Sequence, residues 1–173
     1  VTVDQCVLVH PDCCKILRAT LDYFTEHGAV FYKKMAHVGY LRHLLVRRGV
    51  KTGEILVDLV TSTQTEGTWK SDKNEEALLE GWKEKLLGLD LEGSFAGILH
   101  TENDSLADVV QNDRTVILYG QDFFMEELLG LKFKITPFSF FQTNSLGAEV
   151  LYETAREYIG ETDGRKVFDL YSG

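Results

Sequence analysis

The chain has 173 residues, 44% of them hydrophobic, which is enough for one sizeable buried core and ordinary for a globular domain. No apolar run approaches the roughly 20 residues that a membrane-spanning helix needs. With 18 Lys and Arg against 27 Asp and Glu the net charge is −9, which argues against a protein that neutralises phosphates over its whole surface.

The first 51 residues depart from that acidic balance: they carry a net charge of +4, which leaves −13 on the other 122. Lys33, Lys34, Arg42, Arg47 and Arg48 form a candidate RNA-facing edge, although such an edge is also what an uneven solvated surface looks like. The same region holds all three cysteines, Cys6, Cys13 and Cys14. Few thiols, odd in number and with two adjacent, suit a reducing cytoplasm better than a disulfide framework. A zinc site assembled from Cys6, His10, Cys13 and Cys14 lacks the paired Cys-x-x-Cys spacing such sites use.

Pro11–Glu26 reads as a helix, opened by a proline whose missing N–H costs little and closed by His27-Gly28. Two apolar runs, residues 41–46 and 55–60, flank Gly49-Val50-Lys51-Thr52-Gly53 and predict a β-hairpin. Residues 72–87 have caps, early acids and late lysines, the pattern of an amphipathic helix with Ala77, Leu78, Trp82 and Leu86 inward. Strands are predicted over 94–101, 115–119, 122–128 and 131–135, with 102–112 as a loop. This succession predicts an α+β domain with a largely antiparallel sheet and covering helices, ending near Thr136-Pro137. The pattern then changes to a helix over Ser145–Ile159, a turn at 160–164 and an apolar strand over 166–171. His37, His43 and His100 have no partner spacing that suggests a triad or metal site, and read as surface or satisfied polar residues.

The last part of the chain is the most informative. Phe140-Phe141-Gln142-Thr143-Asn144, a helix, and then Val167-Phe168-Asp169-Leu170-Tyr171-Ser172-Gly173 follow one another. A strand running into a small residue and glycine is how a nucleotide-type site begins in a doubly wound α/β domain, since glycine lets the backbone approach the ligand. From the residues alone, Phe138, Phe140 and Phe141 read as core, Gln142 as a turn residue, and Thr143, Asn144 or Ser145 as the helix cap. In this order, however, the segment from Phe138 to Gly173 resembles the S-adenosylmethionine-dependent RNA uracil-C5 methyltransferases, which make 5-methyluridine in rRNA and tRNA. Tyr40-Leu41-Arg42-His43-Leu44-Leu45-Val46-Arg47 with Thr52-Gly53-Glu54, and Val3-Asp4-Gln5-Cys6, resemble more loosely that family's central strand pair and the approach to its last cluster cysteine.

The resemblance implies a central α+β domain over residues 1–136 and the first helix and strand of a doubly wound α/β methyltransferase domain over 137–173. Val1 and the terminal Gly173 then read as cuts in a longer protein. It further implies that Gln142 and Tyr171 touch S-adenosylmethionine and that Gly173 opens the cofactor loop; Asp169, in the same strand as Tyr171, reads as a carboxylate that is structural or supports the site through another residue, or as a lone acid bonding the loop end. Cys6 falls at the position of the fourth ligand of a [4Fe-4S] cluster carried by some members. Uracil-C5 methylation uses a nucleophilic Cys and a carboxylate base, which the family places late in its catalytic domain; Cys13 and Cys14 do not match that context. The expected function is methyl transfer from S-adenosylmethionine to C5 of a uridine, with RNA as the partner, no membrane, a cytoplasmic location, and no turnover by these 173 residues alone. A methyltransferase of a protein or small molecule, and a non-catalytic RNA-binding module, are the competing readings.

Overall fold

The computed structural model describes residues 6–67, 69–70, 74–106, 114–168 and 170. In chain order they form α1 (Pro11–Glu26), β1 (Leu41–Arg48), β2 (Glu54–Thr61), α2 (Glu75–Leu87), β3 (Ser94–Glu102), β4 (Arg114–Gly120), β5 (Phe124–Leu128), β6 (Leu131–Ile135) and α3 (Ser145–Ile159).

Each helix start has a local cause. His10 caps α1, its Nδ1 accepting from the Asp12 N–H at 3.2 Å, and Pro11 follows at the first position. Asn74 caps α2 by accepting from the Ala77 N–H at 2.9 Å, so that helix begins at Glu75 rather than at 72. Its buried face is Leu78, Leu79, Trp82 and Leu86. Ala77, expected inward, is exposed, because its place in the capped first turn leaves the i, i+4, i+8 row to Leu78, Trp82 and Leu86.

The main sheet has the order β1-β2-β3-β4, with antiparallel outer pairs and a parallel β2/β3 pair. The parallel pair follows from α2, which supplies the crossover two parallel strands require. It also explains the run Ile55-Leu56-Val57-Asp58-Leu59-Val60-Thr61, buried at every position because both faces of β2 are covered. One face packs α1 and α2 through Ile16, Phe24 and Trp82 onto Ile55, Val57 and Ile98. On the other face Leu56 and Leu99 join Phe124 and Ile135 of the β5/β6 hairpin. The predicted strand over 166–171 is not formed at residues 166–168, which have no strand neighbour to bond among the described residues; residues 169 and 171 lie outside them.

Two buried titratable groups in the sheet oppose one another. Burial raises the Asp58 carboxyl to about 6, against a hydrogen bond from the Thr101 hydroxyl at 3.0 Å that lowers it. Burial lowers His100, which hydrogen-bonds Thr61 at 2.8 Å, to about 4. Because Asp58 holds its proton longer in the folded state, its contribution to stability falls as pH rises from about 4 to about 6. His100 is neutral when folded and protonated when unfolded, so its contribution rises between about 4 and 6.5. Replacing Asp58 with Asn removes the first slope only. The stability difference, variant minus wild type, should therefore climb between pH 4 and 6 and level off above, as chemical denaturation across that range would read; a flat difference contradicts the assignment.

Candidate functional site

The segment from 136 to 145 leaves β6, crosses the end of the sheet and enters α3. Its first part is a turn in which the Ser139 N–H donates to the Thr136 carbonyl at 3.3 Å and the two hydroxyls lie 2.5 Å apart. Arg47, near the end of β1, reaches beneath this turn. One of its terminal nitrogens, Nη1, lies 2.7 Å from the Thr136 carbonyl, 3.1 Å from that of Pro137 and 2.6 Å from that of Ser139. The guanidinium also lies 5.8 Å from the Phe124 ring centroid, and burial lowers its pKa from the ordinary arginine value.

Beyond the turn the side chains separate. Phe141 points inward, its ring 5.6 Å from that of Phe133 and packed against the cluster of Leu56, Leu99, Phe124 and Ile135. Phe140 is 88% exposed and Phe138 38% exposed, so the core expectation holds for Phe141 and fails for Phe140 and Phe138. Among the described residues one ring of this segment, that of Phe141, packs on that cluster. Gln142 is exposed. Asn144 is the cap of α3, accepting from the Gly147 N–H at 2.9 Å. Ser145, the first helical residue, is buried, and its hydroxyl donates to Glu126 Oε2 at 3.0 Å.

Glu126 lies on β5 and is 1% exposed. Its carboxylate also accepts from the N–H groups of Val50 at 2.6 Å, Glu127 at 2.9 Å and Lys51 at 3.2 Å. The hairpin loop bearing Val50 and Lys51 is drawn onto β5: Thr52 donates to the Met125 carbonyl at 2.7 Å, and a Cβ on Gly49 would sit 2.9 Å from that same oxygen. One turn into α3, Glu149 pairs with Lys51 and accepts from the Leu129 N–H at 2.7 Å. The Lys51 hydrogen bond, then that of Leu129, hold its carboxyl below the usual range.

The arginines of the candidate RNA edge make contacts within the chain. Arg42 donates to the carbonyls of Asn103 at 2.6 Å and Ser105 at 2.8 Å and stacks on Tyr32, 4.3 Å from its centroid. Arg48 lies 3.4 Å from the buried Asp12 carboxylate. With Arg47 under the 136–139 turn, all three guanidinium groups have partners within the chain. Lys33 and Lys34 are exposed. Cys6 is a partly exposed free thiol, and its carbonyl lies 3.8 Å from the Cys14 sulfur. Among the described residues no group of three or more His, Cys, Asp and Glu side chains could hold a metal ion. Tyr171 and Gly173, and with them Asp169, lie outside the described residues.

Comparison with known proteins adds the following. All 173 residues match an uncharacterized RNA methyltransferase of Clostridium tetani at 50% identity, one of Caldanaerobacter subterraneus subsp. tengcongensis at 43% and one of Clostridium acetobutylicum at 45%. The chain is homologous to these RNA methyltransferases. It spans about 36% of the length of each. No protein-family model matches it. Among solved structures, the tRNA (uracil-54, C5)-methyltransferase of Pyrococcus abyssi in complex with S-adenosyl-L-homocysteine is similar, with a TM-score of 0.56 at 24% identity over 84% of this chain and 31% of that one. At that identity the likeness establishes the fold.

In this RNA methyltransferase homologue, sequence reasoning missed Glu126 and the role of Arg47. A signal for Glu126 was present: in Phe124-Met125-Glu126-Glu127-Leu128 the period of two that turns Phe124 and Leu128 inward turns Glu126 inward as well. No comparable signal marks Arg47, whose acceptors lie about 90 residues further along the chain.

Proposed function

We propose that this chain belongs to an RNA (uracil-C5) methyltransferase, of which residues 1–136 form the central domain and residues from 137 onward begin the methyl-donor domain. The observation that carries the reading is Gln142: in a chain homologous end to end to RNA methyltransferases, its amide is presented outward between two anchored ends. A carboxamide offers two donors and an acceptor without net charge, which suits the zwitterionic end of S-adenosylmethionine or a pyrimidine edge. S-adenosylmethionine supplies the methyl group. The residues of this chain hold and orient: Gln142 contacts the donor, and Tyr171 and Gly173 join it from the following strand and loop. The domain boundary is supported by α3, which buries only Ser145 and Ala148 against the preceding elements.

The nucleophilic thiol and the base would come from elsewhere in the longer protein, so these 173 residues alone have no turnover. Cys6, as a thiol, suits one place in a [4Fe-4S] cluster whose other thiolates would also come from outside this chain. Thiols outside any disulfide, as Cys6, Cys13 and Cys14 are here, fit a cytoplasmic location. The full-length protein, given labelled S-adenosylmethionine and rRNA or tRNA transcripts, should place label in RNA that digests to 5-methyluridine. Label in protein, or in another nucleoside, contradicts the proposal.

A further inference from the structure

We infer that Arg47 and Glu126 are positioning residues for methyl transfer, a half-buried and a buried charge that fix the two ends of residues 140–144 and thereby aim Gln142. The inference rests on the reading of Gln142 as a donor contact and adds to it what holds the amide in place.

Residues 140–143 need an external support. Among the described residues they make no hydrogen bond, and they belong to neither a helix nor a strand. A free segment of that kind samples many conformations, and an amide on it would meet its ligand only after losing that freedom. The chain is held immediately on either side. Upstream, Arg47 gathers the carbonyls of Thr136, Pro137 and Ser139 on one nitrogen, which orients the turn that delivers Phe140. Downstream, the Glu126 carboxylate takes the Ser145 hydroxyl under the N-terminus of α3, where negative charge is favoured by the helix dipole.

The two anchors are tied to one another through the β1/β2 hairpin loop. Arg47 lies on β1, and the Val50 and Lys51 N–H groups that hold Glu126 follow it in the same hairpin. The Phe141 ring, packed on Phe133, supplies a third point between the two, next to the exposed Gln142. Such an arrangement keeps a binding amide near its working geometry before the ligand arrives.

The test uses the full-length protein. Replacing Ser145 with Ala cuts the tie to α3 and leaves the bonds of Glu126 to the hairpin loop. The Kd for S-adenosylhomocysteine and the KM for S-adenosylmethionine should each rise about tenfold, the order expected for one charge-assisted hydrogen bond, with kcat and RNA affinity within about twofold. Ser145→Thr, which keeps the hydroxyl, should restore both constants. Glu126→Gln should raise them further. If Ser145→Ala leaves both constants at wild-type values while Gln142→Ala raises them, the positioning role is wrong and the Gln142 reading stands. If Gln142→Ala also leaves them unchanged, the donor-contact reading fails, and the positioning role with it.

Discussion

Replacing Gln142 with Ala in the full-length protein should lower kcat/KM for methyl transfer by about ten- to a hundredfold, the effect of losing one or two hydrogen bonds to a charged ligand group. The fold should be indifferent to the change, because the side chain is exposed and makes no hydrogen bond within the chain among the described residues. An unchanged thermal midpoint beside a collapsed kcat/KM separates a binding role from a structural one. Replacing Phe141 instead should move the midpoint, since its ring packs on Phe133 and the second core cluster. Wild-type turnover and donor affinity in purified Gln142→Ala protein would reduce the segment around Gln142 to a core-and-cap connection.

Replacing Trp82 with Ala should destabilise the chain by about 3–5 kcal/mol, the usual range for emptying a large buried aromatic site. Trp82 is fully buried between α1 and the sheet, its ring centroid 6.0 Å from that of Phe24. Its indole N–H donates to the Thr20 hydroxyl at 3.0 Å, and the truncation leaves that buried oxygen without its donor. Domains of this size are stable by only about 5–15 kcal/mol, so the variant should approach the unfolding threshold. Trp82→Phe, which keeps most of the apolar area, should lose clearly less. Urea denaturation gives both values; a loss below about 1 kcal/mol for the Ala variant would contradict a core centred on α1, α2 and β2.

Much of this could be read from local pattern. The bounds of α1 and α3 follow from Pro11 with His27-Gly28 and from Asn144 with Gly160, residues whose caps act within a turn. The β1/β2 hairpin follows from two apolar runs around a glycine-bearing loop. The parallel β2/β3 pairing was less accessible, because it is settled by where α2 carries the chain, although the unbroken apolar run of β2 is the mark of a strand covered on both faces. The candidate site divides in the same way. Asn144 could be read as a cap from its neighbours, but the anchoring of Gln142 by Arg47 and Glu126 depends on partners far away in sequence. Charge pattern left the clustered arginines open between an RNA-facing edge and an uneven surface, because the carbonyls and the carboxylate they hold lie far away in sequence.

The central claim is that the longer protein methylates C5 of uracil, and C5 carries a hydrogen that the methyl group must displace. An RNA substrate with tritium at uracil C5, incubated with the full-length protein and S-adenosylmethionine, reports that displacement directly. Each methyl group entering the RNA should release one tritium to water. Methyl incorporation with all tritium retained in the RNA would contradict the claim.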